Sequence, residues 1–182
     1  MVAQKGIVKR ELCFGKTNYF ISKGVYLFNY QNFIRILNFM NIKKISLKIE
    51  QSKFRRKKIT CSKDSSEYMR QFFDSDIEIY ESVFILLLDQ SNTTIGYSKI
   101  SQGGIVGSVV DIKIICKYVI DSLAQNLIIC HNHPSGNVQP SNTDKQITVK
   151  LNEALKLLDS KLLDHIILAK KSYYSFADNC LL

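Results

Sequence analysis

A chain of 182 residues is long enough for one domain with a real core and an appended segment. Its hydrophobic fraction of 46% excludes disorder throughout, and a net charge of +9 at pH 7 keeps nucleic acid among the candidate partners. The longest clear apolar run, residues 83–88, is far short of a bilayer span, and the first residues lack the apolar h-region and small-residue cleavage site of a secretory signal. Cys13, Cys61, Cys116, Cys130 and Cys180 are odd in number, widely spaced and without a Cys-x-x-Cys pair. They indicate neither a disulfide framework nor a thiolate zinc knuckle, so a reducing cytoplasmic setting is expected.

Residues 1–40 repeat Phe, Tyr and Asn without a clean period, and only 26–40 reads as a helix. They are treated as an N-terminal extension of unknown role. Either they are a docking segment, or the natural start is Met40. Residues 42–49 alternate apolar and polar (Ile45, Leu47, Ile49), which predicts a half-buried strand. The basic run at 53–58 carries Lys53, Arg55, Arg56, Lys57 and Lys58. Such a run is ordinarily a solvated edge or loop; DNA contact is the alternative, although the aromatic interleaving of a base-stacking platform is missing. Ser62 then reads as a helix N-cap, with Tyr68, Met69, Phe72 and Phe73 on the apolar side of a helix that residues 74–76 end.

Residues 83–88 are continuously apolar and predict a central strand, followed by a turn at 89–92 and a second strand at 94–100. Gly103, Gly104 and Gly107 give a loop with no nucleotide-binding fingerprint. Ile112, Ile115, Cys116, Val119, Ile120 and Leu123 recur at helical spacing, and residues 127–130 suit a buried strand. A helix opening near Ser141 has Ile147, Leu151, Ala154, Leu155 and Leu158 on its inner side, and 163–169 with 173–176 read as a closing strand pair. The order argues for an α/β (α+β) chain, a mixed sheet flanked by helices.

The chemistry concentrates between Cys130 and Asp144. His131 and His133 alternate by two, so an extended backbone projects both to one side. Pro134-Ser135-Gly136-Asn137 is turn chemistry, and Ser141 and Asp144 open the next helix. Taken singly these features are ordinary: a His-x-His pair is usually a satisfied surface pair, and Ser-x-x-Asp is usually a capping arrangement. Together, two imidazoles and a carboxylate with room for water describe a catalytic rather than a structural zinc site.

The joint spacing resembles the RadC family and, more broadly, the JAMM (MPN-type) zinc metalloproteases. The shared string is His131-x-His133, seven residues, Ser141, two residues, Asp144, with Thr148 beyond it. The segments LDHII at 163–167 and YYSFAD at 173–178 are similar too, and the likeness covers residues 41–182. It implies a JAMM/MPN-like domain over 41–182, with a layout related to the cytidine deaminases. It also implies Zn2+ held by His131, His133 and Asp144. Zinc-bound water would attack an amide bond of a peptide or protein, with Glu81 as general base and Ser141 stabilising the oxyanion. Without the resemblance, Glu78 is as eligible as Glu81.

Other readings compete with this one. Asp164-His165 reads as structural, since neighbours in a strand face opposite sides. No Gly-x-Ser-x-Gly elbow supports a serine hydrolase, and no Pro-Cys-x-x-Cys signature supports a deaminase. The helix-hairpin-helix region of long RadC proteins has no counterpart here. A metal-stabilised accessory protein for DNA repair or recombination, without turnover, is the alternative to a hydrolase. Cys180 stands where the family often has glycine, which implies strain in a C-terminal turn.

Overall fold

Each strand is set by its neighbours on a five-stranded sheet of order β2-β1-β3-β4-β5. The structure, a computed structural model, describes residues 49–73, 77–103 and 110–182. These all belong to one unit, Leu47–Leu182. The elements in chain order are α1 (Ser62–Arg70), β1 (Ser82–Leu88), β2 (Thr94–Gln102), α2 (Ile112–Ser122), β3 (Asn126–Asn132), α3 (Asn142–Lys156), β4 (Lys161–Leu168) and β5 (Tyr173–Ser175). β1 pairs antiparallel with β2 and β3, β3 parallel with β4 across α3, and β4 antiparallel with β5. The sheet is therefore mixed, as the alternation of strand and helix predicts.

β1 and β3 are the middle of the sheet, and every residue of both is buried. Their alternation divides the core in two. Phe84, Leu86, Leu88, Ile128 and Cys130 pack with Tyr68 and Met69 of α1 on one face. Val83, Ile85, Leu87, Leu127 and Ile129 pack with Ile115 and Val119 of α2 and Leu151 and Leu155 of α3 on the other. Full burial on both faces explains the unbroken apolar runs.

A register shift between Leu127 and Ile128 sets β4 against β3 so that His165 lies opposite Ile129. Residues directly opposite in a parallel pair share a face, so this bulge turns His165 toward α3. Asp164 takes the other face, where it accepts from Ser175 Oγ at 2.6 Å and from Ala177 N at 3.0 Å.

Several sequence expectations need correction. Ser62 is the first residue of α1, not its cap. The N-cap is Cys61, which makes no side-chain cap bond. Asp64 instead ties down the entry, accepting from Thr60 N at 3.0 Å and Thr60 Oγ1 at 2.6 Å. These bonds and Lys57 at 3.1 Å hold the Asp64 carboxyl down to about 2. Phe72 and Phe73 lie just past α1 rather than on it, yet Phe72 is buried and stacks on Tyr97. Ile120 of α2 is exposed, and so is Leu123, which is already the left-handed C-cap at φ 53°. Of the strand expected at 42–49, only Ile49 is described; it is exposed and outside any strand. The boundary at 40/41, the extension at 1–40 and the helix end at 74–76 lie outside the described residues.

Within the basic run, Arg56 bonds Asp89 Oδ2 at 3.1 Å and Thr94 O at 3.0 Å, and Lys57 reaches Asp64. Lys58 forms a bridge with Thr93 beside the start of β2. The run thus covers an end of the edge strand β2.

Candidate metal centre

His131 is the penultimate residue of β3, and the backbone stays extended long enough for His133 N to donate to Leu168 O at 2.8 Å. Both imidazoles consequently lie on the α3 side of the sheet, with His131 Nε2 3.0 Å from His133 Nε2. The turn after them includes Gly136 at φ 82°, a left-handed conformation that suits glycine. It brings Asn137 O to 2.6 Å from His133 Nδ1. A carbonyl only accepts, so His133 carries its proton on Nδ1 and presents a bare Nε2.

The N-terminus of α3 supplies the carboxylate. Ser141 is the N-cap of a capping box: its Oγ accepts from Asp144 N at 3.1 Å, and its own N donates to Asp144 Oδ2 at 2.7 Å. This leaves Asp144 Oδ1 3.4 Å from His131 Nε2, with Oδ2 3.8 Å from His133 Nε2. Ligand atoms of His131, His133 and Asp144 all lie within 4.8 Å of one another, a group that could hold a metal ion. The donor set fits a borderline-soft divalent cation: two imidazole nitrogens and one carboxylate oxygen, the first imidazole almost fully buried. Burial first, and then the neighbouring His133, hold His131 down to about 4 against the pull of Asp144, so its ring is neutral at pH 7.

Ser141 differs from its expected role in one respect. The hydroxyl that the resemblance aims at an oxyanion donates here to Asp144 Oδ2 at 2.6 Å, because the capping box draws the two side chains together.

Glu81 precedes β1, and its carbonyl accepts from Gly103 N at 2.8 Å. The pairing of β1 with β3 begins at Val83 opposite His131, two residues after Glu81. Asn132 anchors this approach from the opposite face. Its Oδ1 accepts from Ser82 N at 2.8 Å, and its Nδ2 donates to Ile77 O at 2.5 Å and Tyr80 O at 2.8 Å. Glu78 is engaged elsewhere, 2.6 Å from Lys170 Nζ.

Sequence reasoning undervalued two neighbours. His165 Nε2 is 2.9 Å from His131 Nδ1, and His165 Nδ1 is 2.6 Å from Thr148 Oγ1. His165 is buried and stacks on Phe176 at 4.6 Å between centroids. Thr148 sits one turn after Asp144, a spacing visible in the sequence, but His165 reaches the cluster only through the β4 bulge.

The RadC-like JAB domain family model matches residues 59–181. The chain is 44% identical over 123 residues to a UPF0758 protein of Flavobacterium johnsoniae, covering 67% of this chain and 52% of that protein. It is 38% identical over 125 residues to a UPF0758 protein of Chlorobaculum tepidum, and 37% over 129 residues to one of Porphyromonas gingivalis. Those alignments cover 69% and 70% of this chain and 55% and 56% of the relatives, so the chain spans about half the length of the curated relatives it matches. On this match and on its mixed α/β sheet, the chain belongs to the RadC-like JAB domain family.

Proposed function

We propose that this protein is a zinc-dependent peptidase or isopeptidase-like hydrolase. The observation that carries the reading is the convergence of His131 Nε2, His133 Nε2 and an Asp144 oxygen on one spot. Zinc held there would supply a Lewis acid that polarises an amide carbonyl and acidifies water. Neutral imidazoles and an ionised carboxylate are the protonation states such a cation requires. Glu81, two residues before the pair of Val83 with His131, would take a proton from water and return it to the leaving nitrogen. Ser141 holds Asp144 through the capping box. Rotation of its hydroxyl away from Oδ2 would direct the proton to the carbonyl oxygen as negative charge develops there. Among the described residues no helix is long and apolar enough to cross a membrane, so the substrate is proposed to come from the aqueous phase.

The test is metal analysis of Glu81→Gln and His133→Ala beside the parent, with hydrolysis followed on a panel of fluorogenic peptide and isopeptide amides. Glu81→Gln should keep zinc and lose hydrolysis by at least about 100-fold, the range of general-base catalysis. His133→Ala should lose both. A parent protein that takes up no transition metal defeats the reading. Full biological activity in Glu81→Gln would favour the accessory DNA repair or recombination role instead.

A further inference from the structure

A line of hydrogen bonds runs inward from the candidate metal centre through two residues that are not candidate ligands, Thr148 and His165, and returns to the backbone of a third that is, Asp144. It passes from His131 Nδ1 to His165 Nε2 at 2.9 Å, then from His165 Nδ1 to Thr148 Oγ1 at 2.6 Å. It ends where Thr148 Oγ1 donates to the backbone carbonyl of Asp144 at 2.6 Å. Thr148 and His165 are both almost fully buried, so water does not compete for these groups.

The direction of the protons follows from counting them. Thr148 has one hydroxyl proton. When it goes to the Asp144 carbonyl, which can only accept, the oxygen must accept from His165 Nδ1–H. Neutral His165 then has a bare Nε2, which accepts from His131 Nδ1–H. His131 is left with an unprotonated Nε2 facing His133 and Asp144. The reverse sense, with Thr148 donating to His165 Nδ1, His165 Nε2–H to His131 Nδ1 and His131 Nε2–H to His133 Nε2, gives up the bond from Thr148 to the Asp144 carbonyl. A cation at the cluster excludes the reverse sense, because it needs the His131 Nε2 lone pair.

We propose that Thr148 and His165 are positioning residues which hold His131 as the Nδ1–H tautomer, its Nε2 open for the metal. The inference rests on the metal-site reading above and deepens it. The Asp144 carbonyl is the terminal acceptor, so the residue that offers the carboxylate also sets the tautomer of the first histidine. The His165 ring is stacked on Phe176, which fixes its plane. Such outer partners typically alter metal affinity by about 10- to 100-fold when removed.

The experiment uses zinc itself as the probe, with the full chain and a chromophoric chelator in competition. Thr148→Val removes the terminal hydroxyl with little change of shape and should weaken zinc by about 10- to 100-fold. Thr148→Ser, which restores the hydroxyl, should recover the parent affinity to within about threefold, something a merely space-filling role would not produce. Long-range proton–nitrogen NMR of the zinc-loaded parent should show Nδ1–H on both His131 and His165. Zinc affinity in Thr148→Val within about twofold of the parent, or a His165 Nε2–H signal in the zinc-loaded parent, overturns the proposal. If Thr148→Val fails to fold, the NMR of the parent decides. A parent that binds no zinc defeats the metal-site reading first; a parent that binds it while Thr148→Val matches it defeats this inference alone.

Discussion

Asn132 stands between the two histidines and faces the opposite way, and that alternation gives the short segment two tasks. The odd-numbered side chains converge on Asp144, while Asn132 is completely buried and holds the backbone that leads into β1. Replacing it by leucine keeps the volume but strands the Ser82 amide and the carbonyls of Ile77 and Tyr80. Stranded buried groups cost about 1–3 kcal/mol each, and partial rehydration at the chain surface should limit the loss to about 3 kcal/mol in total. Urea unfolding of Asn132→Leu against the parent measures it; a loss under about 1 kcal/mol would show that the clamp carries no such weight. Zinc uptake should survive in the folded variant, because the three candidate ligands are untouched.

Helix ends are where the elements of this chain depart most from simple pattern reading. α2 and α3 open with side-chain caps, Asp111 accepting from Lys113 N and Ser141 forming its box with Asp144, and the start of α3 agrees with the sequence signal. Their C-terminal sides do not carry the expected glycine. Leu123, Asp159 and Cys180 take φ 53°, 53° and 54°, each in the left-handed region. Each position closes a turn through paired backbone bonds, for example Ala124 N to Val119 O at 3.1 Å with Leu123 N to Ile120 O at 3.2 Å. Leu123 is 76% exposed, so its side chain offers little packing in compensation. Leu123→Gly should therefore raise stability by about 1 kcal/mol, relief of a left-handed β-carbon outweighing the added chain entropy. A shift of the unfolding midpoint to lower denaturant would contradict this. Cys180 is the same case at the C-terminal turn, where the strain implied by the missing glycine coincides with a positive φ.

At the scale of the whole molecule, the candidate centre and its hydrogen-bond partners join segments that are distant in sequence: the end of β3, the start of α3 and the middle of β4. A cation bound only by the folded arrangement must stabilise the entire unit. Zinc in free excess of about 100 times its dissociation constant should add about 2.7 kcal/mol, raising the melting temperature, and a chelator should remove the gain. His133→Ala should show no zinc-dependent shift. An equal shift in parent and variant would mean that the cation binds elsewhere.

The sequence by itself determined the strands with two buried faces, the cap of α3 and the run of residues from His131 to Asp144. Each of these is written in a local period or a short spacing that a few neighbours decide. It did not separate Glu78 from Glu81, because both are acids ahead of a strand; in the fold Glu78 pairs with Lys170, and Glu81 lies two residues before the pair of Val83 with His131. It pointed the wrong way for Ile120, which is exposed within α2, and for Leu123, where the helical period outlasts the helix. His165 was legible only as a strand residue. One extra residue in β4, forced by pairing with a strand more than 30 positions away, turns its ring onto His131, and no local pattern encodes a bulge set by a distant partner.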